Sequence, residues 1–495
     1  MAYYIMSVVL TKRMNPNYVN IILKMISNND DSDYFRYNEM IEKDRKESVI
    51  KSYLLNSSFH GYRYVVEDGR HWTERVFWII CCTLGWIAAG LLVHSSWNDF
   101  QNNAISFVVE TSYLDWDSKF PAVVVCETDN QEDIAKVTDK VYGDPHDYNL
   151  DEMVNELVYY KGLTFFTLQT CGPDLPHRNP QCLLQNLSFF SDKVRRPCNS
   201  IFQKCAWQNE EFDCCKYFRP MNTELGKCFG INSMQTIERF PPKYKMVSNK
   251  NTGPGSLYME LKGFSNVYTF GAEEVPSLTS LASDILQIAP HIGYQRFLAI
   301  KEIENQPEVK YVSVEQRKCR FPEESDLDVF RYYSYSACCV QCRKEAQFKK
   351  CGCVHHLLPN TTSETHCTLD GLQCLTLNFN ELSVLKASWA NRTGLVCGCL
   401  PSCTELELSV TRDHKNGIVE DYAIVKLSLE RLPTERFKRN VVRGKLDLVV
   451  SMGGATSLFL GASLLSFVEI FYYFIVRPLT DCKRRRRQKN KGIHK

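Results

Sequence analysis

The chain has 495 residues, enough for several domains of average size, and its 59 Lys and Arg nearly balance its 57 Asp and Glu, for a formal net charge of +2. That balance argues against a general nucleic-acid-binding protein, which needs a strong excess of basic residues to neutralise phosphates. The basic residues are nonetheless concentrated at the C-terminal end, where residues 477–495 hold nine Lys or Arg and one Asp.

The first predicted element is Val76–Val93, an uncharged apolar run of 18 residues. As a helix it would extend over about 27 Å, close to the thickness of a bilayer core, so we predict a membrane span rather than a buried core helix. We expect no secretory signal peptide before it, because the mildly apolar stretch Ala2–Leu10 has its basic residues after it and not before it. We therefore expect this span to direct membrane insertion.

A second uncharged run, Leu448–Val468, has 21 residues and would extend over about 31 Å as a helix. Three arginines lie shortly before the first span, and basic residues follow the second. Since loops rich in Lys and Arg stay in the cytoplasm, we predict that both termini are cytoplasmic. The predicted division is an N-terminal region, a first span, an extracellular domain, a second span and a basic tail: 1–75, 76–93, 94–446, 447–476 and 477–495.

Nineteen of the 22 cysteines lie between Cys126 and Cys403. This density is typical of an oxidising compartment and predicts a disulfide-rich extracellular domain. Because nineteen is an odd number, at least one of these thiols is free or bonded to another chain. The same region contains three N-x-S/T sequons, which predict glycosylation at Asn186, Asn360 and Asn391.

Three segments of this domain have a pattern that predicts local structure. Phe120–Cys126 is typical of a buried strand that begins at a proline. Leu327–Lys350 mixes apolar and charged residues at helical spacing and carries Cys338, Cys339 and Cys342 on successive turns, which predicts an amphipathic helix held by disulfides. Lys243–Gly255 clusters Asn, Gly and Pro, which predicts a loop.

The second span is unusually rich in small residues. Gly453, Ser457 and Gly461 recur every four residues and would form one stripe on a helix face. Such a stripe has two interpretations that the spacing leaves open. It could allow two helices to pack closely, or it could line a pore in which several copies leave room for water and an ion.

Two features of the same span favour a pore. Gly461-Ala462-Ser463 places a flexible backbone beside a hydroxyl, and such oxygens can replace part of a cation's hydration shell. Glu469 is a carboxylate in an apolar run, where it is costly unless it faces water or a partner. A ring of these carboxylates would concentrate cations. The alternative for Glu469 is a position at the inner membrane interface, among headgroups.

These residues resemble the degenerin and epithelial sodium channel family, most closely its insect pickpocket branch. The clearest motif is Gly453–Glu469, GGATSLFLGASLLSFVE, which is similar to the family's glycine pair, Leu-Phe, Gly-x-Ser and Glu pattern. His60-Gly61, about 15 residues before the first span, looks like the family's cytoplasmic His-Gly gating motif. Trp97 and Phe120–Cys126 resemble the strand that follows the first span.

The resemblance extends to the cysteines of the extracellular domain. Ten of them match the family's cysteine segments and its disulfide-stapled thumb, which implies that they form disulfides, although the pairing is left open. They are Cys126, Cys228, Cys319, Cys338, Cys342, Cys351, Cys353, Cys397, Cys399 and Cys403.

The resemblance implies a fold and a function. The fold is an α+β membrane protein in which two transmembrane helices flank a large disulfide-rich extracellular domain with a β-sheet palm, a helical thumb and peripheral helices. The function is that of a trimeric, voltage-independent, sodium-permeable channel subunit of the plasma membrane, sensitive to amiloride-like compounds and gated by an extracellular stimulus. Its partners would be sodium, membrane lipid and identical or related subunits, and no cofactor, bound metal or nucleic acid is expected.

The family motif also assigns roles to residues. Gly461, Ala462 and Ser463 would form the selectivity filter, and His60 with Gly61 a re-entrant cytoplasmic element. The resemblance assigns the following residues to the pore or gate: Val450, Ser451, Gly453, Gly454, Ser457 and Glu469. Three of them depart from the usual pattern, because Val450 is larger than usual, Ser451 replaces a common acidic residue and Ser457 replaces a common glycine. These departures bear on conductance, selectivity and amiloride affinity more than on the fold.

Two other interpretations concern particular residues. The pairs Cys351-Gly-Cys353 and Cys397-Gly-Cys399, with three histidines nearby, offer an alternative zinc site. Disulfides are favoured over it, because thiols in an oxidising domain pair with one another first. The basic run Lys483–Arg487 either anchors the topology or binds anionic lipid headgroups.

At the level of function, three hypotheses are carried forward. The first is the channel, and the second is an auxiliary or sensory receptor subunit that conducts poorly by itself. The third is an adhesion or scavenger ectodomain. An enzyme is not indicated, because no zinc-protease, nucleophile-elbow or phosphate-loop motif occurs in the sequence.

Overall fold

The computed structural model of the protein describes residues 50–111, 116–175, 182 and 187–480. Three sequence predictions concern positions outside the described residues: the stretch Ala2–Leu10, the sequon at Asn186 and the basic run Lys483–Arg487. The chain divides into two compact units. We name them the terminal unit, Met1–Ala104 with Arg443–Lys495, and the central unit, Ile105–Val442.

The terminal unit is helical over most of its described length. A first helical stretch covers residues 50–56. The other helices are α1 (Tyr62–Val66), α2 (Trp72–Asn102), α13 (Lys445–Leu460) and α14 (Leu464–Phe471), and a π-helical turn, Tyr472–Val476, continues the last of them.

Helix α2 contains the first predicted span. It has 31 residues and no proline, and at about 1.5 Å per residue it is about 46 Å long. Among the described residues it is the one helix that is long and apolar enough to cross a membrane unbroken. The second predicted run meets the same criterion only as a broken pair, Lys445–Leu460 and Leu464–Thr480, whose axes are bent by 69°.

The central unit combines helices with β-sheets. Its helices are α3 (Gln131–Tyr142), α4 (Tyr148–Val158), α5 (Phe165–Cys171), α6 (Leu187–Val194), α7 (Cys198–Ile201), α8 (Cys214–Tyr217), α9 (Val314–Arg317), α10 (Tyr335–Cys351), α11 (Leu369–Leu377) and α12 (Phe379–Ser383). Its strands are β1 (Ile105–Glu110), β2 (Ser118–Lys119), β3 (Ala122–Asp129), β4 (Phe202–Trp207), β5 (Glu210–Phe212), β6 (Arg219–Thr223), β7 (Gly226–Ile231), β8 (Val247–Ser248), β9 (Ser256–Leu261), β10 (Phe264–Phe270), β11 (Ile285–Ile288), β12 (Ile292–Asn305), β13 (Glu407–Gly417), β14 (Ala423–Leu429) and β15 (Arg436–Val441).

Two sheets form the framework of the central unit. The larger has eight strands in the order β1-β15-β12-β14-β9-β4-β5, with β13 paired to β12. Its long strand β12 runs parallel to β14 and β15 and antiparallel to β13. The smaller sheet has five strands in the order β11-β10-β3-β7-β6. The pair β2-β8 lies apart from both, and it places a short strand inside the predicted loop Lys243–Gly255.

Strand β3 is buried on both faces, which explains its unbroken apolar sequence. Val123 and Val125 belong to the main core, together with Leu257 and Met259 of the larger sheet. Val124 points to the opposite face and belongs to a second cluster that includes side chains of helix α10. The predicted buried strand is thereby confirmed.

Helix α10 is the predicted disulfide-stapled helix, but it begins later than the sequence suggested. The Ser334 side chain accepts a hydrogen bond from the Ala337 backbone N–H and caps the helix, which therefore starts at Tyr335 and not at Leu327. The residues before the cap are apolar because they are partly or fully buried against a core cluster, as Val329 is, and not because they form a helix face.

Nine disulfides hold the central unit together, and all ten cysteines singled out by the family motif take part in them. The pairs are Cys126–Cys228, Cys171–Cys182, Cys198–Cys215, Cys205–Cys214, Cys319–Cys403, Cys338–Cys399, Cys342–Cys397, Cys351–Cys374 and Cys353–Cys367. The nineteenth cysteine of the region, Cys339, is a buried free thiol. The prediction that at least one thiol would be left over is confirmed.

Candidate functional site at the broken helix

Helix α13 ends at Leu460 because the next residue, Gly461, has a backbone conformation that residues with a side chain rarely adopt. Gly461 has φ of 67°, in the left-handed region, and forms the C-terminal cap. Its N–H donates to the carbonyl oxygen of Ser457 at 2.9 Å. The helix cannot continue through this residue, so the apolar run is interrupted at the first of the three predicted filter residues.

A serine begins the next helix two residues later. The Ser463 hydroxyl accepts from the Ser466 N–H at 3.3 Å, and the Ser466 hydroxyl accepts from the Ser463 N–H at 2.9 Å. This reciprocal pair is an N-terminal capping arrangement. Gly461, Ala462 and Ser463 therefore form a short non-helical link between α13 and α14. In an apolar segment such a link is tolerated where it is buried in protein or lines water.

The break corrects the predicted stripe of small residues. Gly453 and Ser457 share a face of α13, but Gly461 has left the helix and does not extend the stripe. Among the described residues no atom lies within 4 Å of a Cβ built at Gly453 or Gly454, and Ser457 is exposed. The close-packing interpretation therefore has no support within one chain, and this face is free for another copy or for water.

The opposite side of α13 packs on α2. Ala455 is buried, and the Phe459 carbonyl oxygen lies 3.1 Å from a Cβ built at Gly85. Two other predicted gate residues, Val450 and Ser451, lie in the second turn of the helix. Val450 is 64% exposed, whereas Ser451 is half-buried.

His60 contacts the start of the link directly. The His60 N–H donates to the Leu460 carbonyl oxygen at 2.8 Å. A Cβ at Gly461 would lie 2.5 Å from the His60 ring, so only glycine allows this approach. Gly61 itself has φ of 86° and begins helix α1. The predicted filter and the predicted gating motif, 400 positions apart along the chain, are thus brought together.

Glu469 has a partner within the chain. Its carboxylate accepts a hydrogen bond from the Ser58 N–H at 3.1 Å, and the hydroxyls of Ser58 and Ser466 are 2.6 Å apart. Sequence reasoning missed both serines. The pattern of a glycine followed two residues later by a serine is a signal for a helix end and a new cap, and it could have revealed Ser466. Nothing in the sequence points to Ser58.

The cysteines of the alternative zinc site are engaged elsewhere. Cys351, Cys353, Cys397 and Cys399 are all in disulfides. Two of the three neighbouring histidines are buried side chains, and burial lowers the pKa of His356 to about 4. In the described part of the chain no group of three or more His, Cys, Asp or Glu is arranged to hold a metal.

The sequence was compared with known families and proteins. Residues 53–473 match the family described as "Amiloride-sensitive sodium channel". The chain is 25% identical to "Sodium channel protein Nach" of Drosophila ananassae, over 89% of this chain and 90% of that protein. It is 21% identical to "Pickpocket protein 19" of Drosophila melanogaster, over 86% and 90%, and 24% identical to "Acid-sensing ion channel 2" of Rattus norvegicus, over 86% of each.

These matches confirm the predicted family and its insect pickpocket branch, and they concern ion channels rather than enzymes. They cover both units, from the segment before α1 to the residues after α14. The chain is a membrane protein of the amiloride-sensitive sodium channel family.

Proposed function

We propose that this chain is a subunit of a sodium-permeable, voltage-independent cation channel in the plasma membrane. Helix α2 and the broken pair α13–α14 would be its two membrane spans, with both termini in the cytoplasm. The central unit would be the extracellular domain on which the opening stimulus acts. Three copies, identical or from related chains, would surround one axis.

The observation that carries the proposal is the break in the second span. A non-helical link inside an apolar run exposes backbone groups that lipid cannot satisfy, so it belongs where water or ions are present. Here the link is Gly461–Ser463, and the Ser463 side chain is exposed in the single chain. Backbone and hydroxyl oxygens at such a link can replace part of the hydration shell of sodium. We assign the selectivity filter to these three residues.

The remaining residues take supporting roles in this proposal. The face that carries Gly453, Gly454 and Ser457 would line the pore above the filter, and Val450 with Ser451 would lie at the outer gate. Glu469 would form the lower carboxylate ring, positioned by Ser58. The fixed position of His60 against the link would let the cytoplasmic segment influence the opening of the filter.

A second candidate function is an auxiliary subunit that conducts poorly by itself. Two residues near the outer end of α13 favour it. Val450 adds bulk at a position where the family usually has a small residue, and Ser451 lacks the negative charge that would attract cations. In this case a sodium current would require a related partner chain.

The experiment compares two adjacent positions on α13. Ser457 and Leu458 are both exposed in the single chain but point in directions about 100° apart on a helix. In cells that express Ser457→Cys, a positively charged methanethiosulfonate reagent should block an amiloride-sensitive sodium current. The same reagent should leave Leu458→Cys and the unsubstituted chain unaffected.

The outcomes separate the candidates. A current that appears only with a related subunit, and that is still blocked through Ser457→Cys, favours the auxiliary role. Equal block at both positions, or no block at either in a conducting channel, would contradict the assignment of the pore face. Surface biotinylation of each variant shows that a missing current is not a missing protein.

A further inference from the structure

The terminal unit contains a small cavity beside the cytoplasmic gating motif. Its volume is about 160 Å³. Its walls come from the segment before and within α1, from more than two turns of α2 and from the last turn of α13. The lining residues are Phe59, His60, Gly61, Tyr62, Trp78, Cys81, Cys82, Trp86, Phe459 and Leu460.

The size of the cavity limits what can enter it. Drug-sized ligands occupy pockets of about 300–1,000 Å³, so this cavity is too small for them. A dry apolar cavity of about 150 Å³ binds benzene. The volume therefore corresponds to one six-membered ring or an apolar molecule of that size.

The polarity of the walls also points to an apolar occupant. Five of the ten described lining residues are Phe, Tyr or Trp, and among the described residues no Asp, Glu, Lys or Arg lines the cavity. The Trp86 indole N–H donates to the Tyr62 hydroxyl at 2.7 Å, so the indole N–H is already satisfied. The His60 backbone N–H is likewise used, by Leu460. A charged ligand would therefore find no Asp, Glu, Lys or Arg side chain here with which to form an ion pair in exchange for its hydration.

Two free thiols belong to the same wall. Cys81 and Cys82 form no disulfide. The Cys82 thiol donates to the His60 carbonyl oxygen at 3.6 Å, which is a long contact and a weak one. A Cβ at Gly61 would lie 2.8 Å from the Cys82 sulfur. Sulfur at an aromatic ring edge is favourable, so the thiols suit an aromatic occupant.

We propose that this cavity is a modulatory site for an uncharged, single-ring aromatic molecule that reaches it through the membrane. His60 and Leu460 are both walls of the cavity and partners in the hydrogen bond beside the filter link. An occupant of the cavity therefore lies against both partners of that hydrogen bond. Binding is independent of the proposed channel function, whereas the effect on current rests on it.

The binding test uses Cys82 as a reporter in the full-length protein in membranes. The Cys82 thiolate attacks the benzylthio sulfur of benzyl methanethiosulfonate and forms a disulfide bond with it. Methanesulfinate leaves with the electron pair of the broken bond, and the thiol proton passes to buffer. Peptide mass spectrometry follows the rate at Cys82. In Cys81→Ala, toluene should slow this reaction several-fold.

A matched variant fills the cavity. In Cys81→Phe the new ring occupies the space, so toluene should no longer protect Cys82. Cys81→Leu serves the same purpose if the phenylalanine variant does not fold. Absence of protection in Cys81→Ala, or equal protection in the alanine and the filled variants, would overturn the proposed site.

The current test separates the site from the channel. Benzylthiolation of Cys82 should change the sodium current several-fold, and Cys82→Ala should be insensitive to the reagent. If toluene protects Cys82 from the reagent but benzylthiolation of Cys82 leaves the current unchanged, the modulatory role is overturned. If no variant carries any current, alone or with a related subunit, the proposed channel function fails, and the protection experiment still decides the binding site.

Discussion

At the scale of single residues, Gly461 is required for two independent reasons. Its φ of 67° costs about 1–3 kcal/mol for a residue with a side chain, and the His60 ring occupies the place of a Cβ. Gly461→Val should therefore displace the link from His60 and abolish sodium permeation. Patch-clamp recording of the current measures the effect, normalised to the amount of protein at the cell surface.

Gly90 provides the control for that prediction. It lies within α2 and has no left-handed backbone angle, and apart from the backbone of its own helix no atom of the described residues lies within 4 Å of a built Cβ. Gly90→Ala should preserve both the current and surface expression, since alanine favours a helix over glycine. A normal current in Gly461→Val would show that the link does not need its observed geometry.

The residues of the site differ in how far the sequence could predict them. Gly461, Ser463 and His60 stand in recognisable motifs, so their type and spacing carry the information. The contact between Ser58 and Glu469 joins positions that are 411 residues apart. It depends on how two distant segments fold together, and neither residue has a local pattern that signals the other. A sequence interpretation could assign Glu469 a role but not its partner.

At the scale of elements, a buried ion pair joins helix α10 to the turn between β6 and β7. Arg343 and Glu224 are fully buried and 2.6 Å apart. Removing one partner leaves an unpaired buried charge, which typically costs about 3–5 kcal/mol. Arg343→Ala should therefore lower the unfolding temperature of the purified protein and its amount at the cell surface. Thermal unfolding in detergent and surface biotinylation measure these effects.

The exposed pair of Lys136 and Glu132 on helix α3 is the matched control. Because both side chains are mostly in water, Glu132→Ala should change stability by about 1 kcal/mol or less. Replacing both Arg343 and Glu224 by apolar residues of similar size should restore much of the lost stability. An Arg343→Ala protein as stable as Glu132→Ala would contradict the structural role of the buried pair.

Helix boundaries show why element prediction fails at particular places. The apolar pattern before Tyr335 was interpreted as helix, but these residues are apolar because they are partly or fully buried against a core cluster. The Ser334 cap sets the true start. In the second span the hydropathy is continuous while the backbone is not, because the break is made by one backbone angle at Gly461. The amino-acid composition of a segment reveals neither a helix cap nor a backbone angle.

At the scale of the whole molecule, composition predicted the class of the central unit but not its topology. The density of cysteines indicates a disulfide-stapled domain, and the odd count indicates at least one thiol that is free or bonded to another chain. In the single chain Cys339 is free. The pairing of Cys126 with Cys228 spans 102 positions, and the parallel alignment of β12 with β14 joins segments that are also far apart. Such pairings follow from the packing of the sheets and have no local sequence signal.

The central unit holds buried ionisable groups whose pKa shifts predict its response to pH. Burial lowers the pKa of His356 to about 4 and that of His355 well below its usual value. The unfolded chain binds protons at these histidines near pH 6.5, whereas the folded chain does so only at lower pH. The free energy of unfolding should therefore fall as pH decreases from about 6.5 towards 4, by up to about 1.4 kcal/mol per pH unit for each histidine.

Glu274 should have the opposite effect, which allows the two contributions to be separated. Burial raises the pKa of Glu274 to about 7. The folded state therefore holds a proton that the unfolded state releases above pH 4.5. The stability that this protonated carboxyl contributes is lost as pH rises through 7. Thermal unfolding of the full chain between pH 5 and 8 measures the contribution of the histidines and that of Glu274. The variant His355→Gln/His356→Gln should be less sensitive to acid than the unsubstituted chain, and Glu274→Gln should be relatively more stable at pH 8. If the histidine variant lost stability in acid as steeply as the unsubstituted chain, other groups, such as paired carboxylates, would have to account for the acid sensitivity.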